Sequence, residues 1–322
     1  MGGTGFTRRR LLGVLGGAGA TALGAGAVSN AMANDGWSVV ETPTGNALYD
    51  ATYASSTPYA VGGSGVILRR DGQSWTRAVA DGAGRNKTLR ACEVTAGDQR
   101  LWFCGASGTL GYLDVSSGET SNLSKPVSEG NTFYDVAVEG AAGEERVYLA
   151  TSGGDVVVGH QNTGSWTWTE YDTGGGYTVT ALDFHDATSG HAVTNGAAVY
   201  ETTDGGQTWT HVGIPDAQVP LKSVVSQPNR VFVGGGSGRV FRLDCTCSLW
   251  TPFKPGSNTV SALERYGGEL LGAGGSGHVV ERTETGYAMY ESPTGNHLNG
   301  VALGRDGGPD VAVGDGGVLL ER

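Results

Sequence analysis

One pattern recurs seven times along this sequence: a short apolar run, a glycine-rich turn and a second apolar run. The copies occupy residues 59–69, 101–113, 147–158, 191–201, 231–242, 270–282 and 311–322. Each turn contains a glycine for which we expect a positive φ: Gly65, Gly108, Gly154, Gly196, Gly238, Gly277 and Gly317. These glycines lie 39 to 46 residues apart, and such a period with strand patterns only is typical of propeller blades. We therefore predict an all-β fold, a seven-bladed β-propeller of four-stranded blades.

A second repeat precedes each turn by about 15 residues and has apolar residues at its first and fourth positions. Its first positions are Leu48, Leu89, Phe133, Val179, Leu221, Val260 and Leu298. We predict that these segments are the innermost strands, which line the central tunnel. An aromatic residue follows most turns and is expected to pack between blades: Trp75, Trp168, Trp209, Trp250 and Tyr287, with none in blade two.

The seventh copy ends at Arg322 and leaves no residues for a fourth strand in its blade. The sequence WSVVETPTGN at residues 37–46 is similar to YAMYESPTGN at residues 287–296, the outer strand predicted for blade six. We therefore expect the N-terminal strand to complete the last blade. This closure would cover an edge that otherwise invites aggregation.

The first 33 residues form a targeting segment in this interpretation. Arg8 and Arg9 precede a weakly apolar stretch from Leu11 to Ala27, and Ala31-Met32-Ala33 offers a cleavage site. The segment resembles a twin-arginine export signal, and retention as an N-terminal anchor is the alternative. We predict a signal peptide at residues 1–33, a single propeller domain at residues 34–322, and an extracellular or cell-surface location. No other segment is long and apolar enough to span a membrane.

The composition is acidic, with 32 Asp and Glu against 21 Lys and Arg. Removal of residues 1–33 takes away three arginines and no acid, so the net charge changes from −11 to −14. Nucleic-acid binding is not expected, because phosphates repel such a chain. Only four of the basic residues are lysines, and an acidic, lysine-poor surface suggests a salt-rich environment and a haloarchaeal source.

Four cysteines remain, and in an exported chain they predict disulfides before a zinc site. Cys92 and Cys104 are expected to face each other across a hairpin centred near Gly97 and Asp98. A Cys245–Cys247 bond within a turn is the second expectation. The alternative is that Cys92 and Cys104 are small, buried apolar residues.

Two sequons suggest modification of the exported chain. Asn86-Lys87-Thr88 and Asn122-Leu123-Ser124 fit the N-glycosylation pattern and fall in predicted connections between strands. Asn86 and Asn122 are therefore candidate glycosylation sites.

Blade four carries the most specific motif, the stretch TTDGGQTW at residues 202–209. It matches the Asp-box pattern Ser/Thr-x-Asp-x-Gly-x-Thr-Trp, and FHDATSGHAV at residues 184–193 is similar to the first hairpin of photosystem II assembly-factor repeats. The chain resembles the BNR/Asp-box β-propeller superfamily over residues 37–322, with a degenerate copy, RDGQSW, at residues 70–75. The resemblance implies structural roles in a turn for Thr202, Asp204, Gly206, Thr208 and Trp209.

Sialidases share this repeat, so glycoside cleavage must be considered. A similar enzyme would need three arginines around a carboxylate, a Tyr–Glu pair and an acidic Asp, yet the inner strands offer only Arg90 and Arg265. His185 and His191 could hold a metal, but their positions in a repeat turn favour a structural role. The Gly-Gly-Ser-Gly turns join two strands, so no helix follows to bind an anion. We predict no catalytic set, no metal and no cofactor.

The second residue of each innermost strand would form a ring at the tunnel mouth. The ring consists of Tyr49, Arg90, Tyr134, Thr180, Lys222, Ser261 and Asn299. It could take an anionic or polyhydroxy group or a protein loop, or it could be an ordinary solvated rim. The predicted function is a monomeric, non-catalytic scaffold that binds a protein partner at or outside the cell surface. The alternative is a glycan-binding propeller or a sialidase-like glycoside hydrolase.

Overall fold

The computed structural model describes residues 36–80, 83–127, 130–162, 164–244, 247–283 and 286–322. These residues form seven four-stranded antiparallel sheets, which are the blades of a β-propeller, as the repeat predicts. In each blade the strands follow chain order from the tunnel outwards, and only the last blade takes a strand from elsewhere in the chain. Among the described residues, no helix is long and apolar enough to cross a membrane.

The first three blades contain strands β2 to β13. Blade one has β2 (Leu48–Ala54), β3 (Thr57–Gly62), β4 (Ile67–Asp71) and β5 (Ser74–Arg77). Blade two has β6 (Leu89–Val94), β7 (Arg100–Gly105), β8 (Leu110–Asp114) and β9 (Thr120–Asn122). Blade three has β10 (Phe133–Glu139), β11 (Arg146–Thr151), β12 (Asp155–Asn162) and β13 (Ser165–Asp172).

The other four blades contain the remaining strands. Blade four has β14 (Val179–Phe184), β15 (Gly190–Thr194), β16 (Val199–Thr202) and β17 (Thr210–His211). Blade five has β18 (Leu221–Gln227), β19 (Arg230–Gly235), β20 (Val240–Asp244) and β21 (Leu249–Phe253). Blade six has β22 (Val260–Tyr266), β23 (Glu269–Gly274), β24 (His278–Arg282) and β25 (Tyr287–Glu291). Blade seven has β26 (Leu298–Ala302), β27 (Val311–Gly314), β28 (Leu319–Glu321) and β1 (Ser38–Val39).

Each innermost strand begins at the apolar residue that the sequence predicts, from Leu48 in β2 to Leu298 in β26. This first residue is fully buried in every blade, because it packs between neighbouring sheets. The pairing with the second strand shifts by one residue directly after it, as between Leu48 and Asp50. The shift is a β-bulge, and it changes the direction of the side chains that follow.

The N-terminal strand closes the last blade, as predicted. Ser38 pairs with Glu321 and Val39 with Leu320. Trp37 is only 3% exposed, and its indole N–H donates to Glu281 Oε1 at 3.0 Å. Arg322 stacks over the Trp37 ring and forms an ion pair with the same Glu281 at 2.5 Å. The closing strand therefore joins a buried aromatic side chain to a charged group on blade six.

The same contact recurs at the next blade boundary. The Trp75 indole N–H in the outer strand of blade one donates to Glu321 Oε1 of blade seven at 2.7 Å. Arg70 binds the same carboxylate through Nε at 2.8 Å and Nη2 at 3.1 Å, a two-pronged geometry that fixes orientation. Trp37 and Trp75 thus make equivalent contacts with a glutamate of the preceding blade.

The glycine-rich turns are tight reversals with left-handed residues. In the first, the Val66 N–H donates to Gly63 O, and both Ser64 and Gly65 have a positive φ, of 57° and 70°. This is the backbone of a type I′ hairpin turn, which fits the right-handed twist of strands. Six of the seven predicted glycines have a positive φ, but Gly196 does not: in blade four the left-handed residue is Ala197, with φ 66°.

The predicted Cys92–Cys104 disulfide is wrong. In the β6–β7 hairpin, Cys92 pairs with Phe103, and Cys104 pairs with Ala91. Directly opposed residues share a face of the sheet, so the two thiols lie on opposite faces. Both cysteines are free and buried, Cys92 against blade one and Cys104 against blade three. The structure agrees with the alternative interpretation, in which Cys92 and Cys104 are small, buried apolar residues.

The second predicted disulfide involves Cys245, which lies outside the described residues. Cys247 is free and exposed, and its thiol lies 3.8 Å from the Asp244 carbonyl oxygen.

Candidate binding site at the tunnel mouth

All innermost strands run in the same direction, so their first residues meet on one face of the propeller. We call this the mouth face and the other the opposite face. All seven predicted ring residues line one cavity there, with a volume of about 320 Å³. The structure thus brings together the residues that the sequence singles out, while their role in binding stays a prediction.

Arg90 lies between two tyrosines of this ring. Its guanidinium carbon is 5.6 Å from the Tyr49 ring centroid and 4.9 Å from the Tyr134 ring centroid. Such stacking holds a guanidinium in one orientation and leaves its N–H edge free. Arg90 Nε is buried and has no hydrogen-bond partner among the described residues. A buried donor without a partner is costly, so this group is suited to an incoming acceptor.

Three other ring residues are occupied by contacts between blades. The Thr180 hydroxyl lies 2.9 Å from Leu221 O in blade five, and Ser261 Oγ lies 2.8 Å from His297 Nε2 in the linker to blade seven. Asn299 Nδ2 donates to Leu48 O in blade one at 3.0 Å. Lys222, by contrast, is exposed. The residues available to a ligand are therefore Tyr49, Arg90, Tyr134 and Lys222, which we call the mouth cluster.

Below the ring, carboxylates bridge the innermost strands of neighbouring blades. Asp50 Oδ2 accepts from the Cys92 N–H at 2.9 Å, and Asp135 Oδ2 accepts from the Leu182 N–H at 3.0 Å. Asp183 Oδ2 accepts from the Ser226 N–H at 2.6 Å, and Glu264 accepts from the Leu303 N–H. An innermost strand has no neighbour on its tunnel side, so these carboxylates supply acceptors for its unpaired N–H groups. The repeat pattern does not single out these carboxylates, although each lies within an innermost strand.

The tunnel raises the pKa of these carboxyl groups. Burial raises the pKa of Asp135 to about 7, against the opposing effect of the Leu182 and Val136 N–H groups. Burial also raises the pKa of Glu264 to about 7 and those of Asp50 and Asp183 well above the ordinary value. Some of these groups therefore hold a proton near neutral pH.

The Asp135→Asn variant should have a pH-dependent effect on stability. A carboxyl whose pKa is raised on folding contributes stability that is fully present below the unfolded pKa of about 3.9. This contribution is lost as the pH rises through about 7. Asparagine does not titrate, so the variant should gain about 4 kcal/mol relative to the wild type between pH 4 and pH 8. Urea unfolding at both pH values measures the difference.

Asp306→Asn is the matched control, because Asp306 is exposed and has a positive φ that asparagine tolerates. Its effect should be the same at both pH values. If Asp135→Asn shows no more pH dependence than this control, folding does not raise the pKa of Asp135.

The two histidines of blade four bond to the same serine. Both turn Nδ1 towards the Ser226 hydroxyl, His185 at 2.9 Å and His191 at 2.8 Å. Burial lowers the pKa of His191 to about 4, so this side chain is neutral. Among the described residues, no group of three or more His, Cys, Asp or Glu side chains is arranged to hold a metal ion.

The Asp-box residues form a turn on the opposite face. Asp204 Oδ1 accepts from the backbone N–H groups of Gln207 and Thr208, and Asp204 Oδ2 accepts from the Thr208 hydroxyl at 2.6 Å. The Gly206 N–H donates to the Thr202 hydroxyl, and the Trp209 indole N–H donates to Gly206 O. These bonds satisfy the turn internally and leave the Asp204 carboxylate committed to it.

The two sequon asparagines are both exposed. Asn86 lies in a 3₁₀ turn (Gly84–Asn86) on the mouth face, and Asn122 ends β9. The Asn122 side-chain oxygen accepts from the Ser124 N–H at 3.0 Å. Glycosylation of either residue stays a prediction.

Solved structures share this fold at low sequence identity. The YCF48 structure bound to D1 peptide has 15% identity and a TM-score of 0.70, over 90% of this chain and 96% of that one. The WD40 propeller domain of Doa1 has 10% identity and a TM-score of 0.71, over 89% and 96%. Streptogramin B lyase has 14% identity and a TM-score of 0.71, over 89% and 97%.

No family model matches the sequence, and no curated protein shows significant similarity to it. At such identities the likeness shows the propeller fold alone, and these propellers include both a lyase and a peptide-bound protein.

Proposed function

We propose that this protein is an exported, non-catalytic scaffold that binds a protein partner through its mouth face. The observation that carries the proposal is the mouth cluster, in which a buried Arg90 donor without a partner lies between two tyrosines at the rim of a cavity. Tyrosine and arginine are the side chains most enriched at protein interfaces. The similar fold of YCF48, which is bound to a peptide, agrees with this use of a propeller.

The positions of the arginines support a non-catalytic role. A sialidase-like site needs several arginines that converge on one carboxylate. Arg90 and Arg265 line the same cavity at its two ends: Arg90 is the second residue of β6 on the mouth face, and Arg265 is near the end of β22 on the opposite face. Arg265 donates to Gln227 and Arg305 pairs with Glu264, so both are engaged in the fold. Arg90 also covers the tyrosine rings, which leaves less ring surface for stacking with a sugar.

Capture of partners by the immobilised protein tests the proposal. We expect a specific protein from the cell-envelope fraction to bind the wild type, and the Tyr49→Ala/Tyr134→Ala variant to lose it. Tyr266→Ala, which removes an exposed tyrosine from the opposite face, should retain it. Capture that is unaffected by the mouth substitutions would contradict the proposal. So would turnover of a fluorogenic glycoside that these substitutions abolish.

The export part of the proposal depends on Arg8 and Arg9, which lie outside the described residues. The Arg8→Lys/Arg9→Lys variant should accumulate inside the cell, because the twin-arginine route requires both guanidinium groups. Immunoblots of cell and medium fractions measure the distribution. Secretion at the wild-type level would contradict this route.

A further inference from the structure

Lysines and ion-paired arginines lie on different faces of the propeller. All four lysines lie on the mouth face: Lys87, Lys125 and Lys254 in linkers that lead to an innermost strand, and Lys222 in the ring. Arginines that form ion pairs among the described residues instead lie at strand ends on the opposite face. They are Arg70, Arg100, Arg305 and Arg322.

This distribution matters because the chain as a whole is acidic, with a net charge of −11. Four arginines of the opposite face are paired with the protein's own carboxylates, such as Arg70 with Glu321 at 2.8 Å, whereas Arg230 on that face is exposed. Arg90 and Lys222 on the mouth face form no ion pair within the part of the chain that is described. An anionic partner would therefore be repelled by most of the surface and attracted to this face.

Arg90 also presents its guanidinium in a fixed orientation. Its guanidinium is fixed by two tyrosine rings, at 4.9 Å and 5.6 Å, and its buried Nε has no acceptor among the described residues. A planar guanidinium in one orientation matches the two oxygens of a carboxylate. The carboxyl groups of Asp50 and Asp135, which also line this cavity, already accept from backbone N–H groups. Neither forms an ion pair with Arg90 within the described structure.

We propose that the mouth cluster binds an acidic peptide segment of the partner, with one of its carboxylates held by Arg90 and a second near Lys222. The proposal rests on the proposed function and names the chemistry of the segment that enters the mouth. A peptide is favoured over an acidic polysaccharide, because Arg90 occupies the tyrosine faces that would otherwise stack on sugar rings.

Binding of a labelled deca-glutamate peptide to the whole protein tests the proposal. Fluorescence anisotropy is measured at the lowest salt concentration at which the protein stays folded. We expect saturable binding that weakens as salt is added, and no binding of a deca-glutamine peptide. Arg90→Gln should weaken binding about tenfold or more, since it removes a charge-assisted pair of hydrogen bonds. Arg90→Lys should not restore it fully, because lysine keeps the charge and lacks the planar fork.

Arg230→Gln is the matched control, because it removes the same charge from an exposed position on the opposite face. It should change the affinity less than twofold, and thermal melting shows whether each variant is folded. Equal losses in Arg90→Gln and Arg230→Gln would overturn the proposal in favour of general charge attraction. Tighter, Arg90-dependent binding of an oligogalacturonate would overturn the choice of a peptide. If the wild type and Arg90→Gln capture the same amount of the cell-envelope protein, this inference fails while the proposed function stands.

Discussion

A chain that begins at Thr44 is expected to lose most of its stability compared with one that begins at Asn34. The truncation removes Trp37, which is 3% exposed, and the strand that pairs with β28. Truncation of a buried tryptophan alone costs about 3–5 kcal/mol. The truncated chain also loses the bonds from the Val40 N–H to Leu319 O at 2.9 Å and from the Thr42 hydroxyl to Gly317 O at 2.8 Å. The free energy of unfolding should therefore fall by about 5 kcal/mol or more.

The consequences should extend beyond stability. Leu319–Glu321 would become an uncovered edge strand, which is a template for pairing with a second chain. We expect aggregation in light scattering at concentrations where the longer chain is monodisperse. Trp37→Phe keeps one aromatic ring, but it loses the hydrogen bond to Glu281, at about 1 kcal/mol, and the packing of the second ring. Normal melting of the truncated chain would refute closure by the N-terminal strand.

The strands and their order could be predicted because each repeat carries its own pattern. A buried first residue, such as Leu48 or Phe133, marks the start of every innermost strand, and the period then places the rest. Closure of the last blade by the N-terminal strand could be predicted because residues 37–46 are similar to the outer strand of blade six. The ring residues also follow from position, because the second residue of a strand that begins on the mouth face must lie near the tunnel.

Register could not be predicted with the same accuracy. The turn centre predicted near Gly97 and Asp98 agrees with the pairing of Val94 with Leu101, but direct opposition of Cys92 and Cys104 would need a centre half a residue later, at Asp98. A shift of one residue moves a side chain to the other face of the sheet, and Cys104 accordingly faces blade three. Turn conformation beyond the glycines decides register, and a single sequence does not contain that information.

Only part of the site at the tunnel mouth could be predicted from the sequence, for a related reason. Thr180, Ser261 and Asn299 share a ring position with Arg90, yet they are occupied by neighbouring blades. Conversely, Asp50 and Asp135 bond across a blade boundary to residues 42 and 47 positions away. Such contacts depend on how blades pack together, which a repeat pattern analysed one blade at a time does not reveal.

Gly274→Ala is a substitution for which we expect a large effect of a single methyl group. Gly274 has an extended backbone with φ of 177°, so conformational freedom does not explain the glycine. A Cβ atom there would lie 1.8 Å from the Thr259 carbonyl oxygen, a backbone atom that accepts from the Gly275 N–H at 3.0 Å. The methyl group can be accommodated only if β22 and β23 move apart at the tunnel mouth. We expect a loss on the order of 3 kcal/mol, measured by urea unfolding.

Glycines at the same position in other blades form a graded series, because the distance from an added Cβ atom to the nearest backbone oxygen differs among them. The nearest backbone oxygen would lie 2.0 Å from a Cβ at Gly105, 2.2 Å at Gly314 and 3.0 Å at Gly235, whereas Gly295 has nothing within 4 Å. The destabilisation should decrease in this order, to about 1 kcal/mol for Gly235→Ala. Gly295→Ala should be neutral or slightly stabilising, because alanine restricts the unfolded chain. In blades three and four, Thr151 and Thr194 occupy the position of this glycine. Their hydroxyls accept hydrogen bonds from N–H groups of the turn. If Gly235→Ala destabilises the protein as much as Gly274→Ala, close approach of the backbone is not what these positions require.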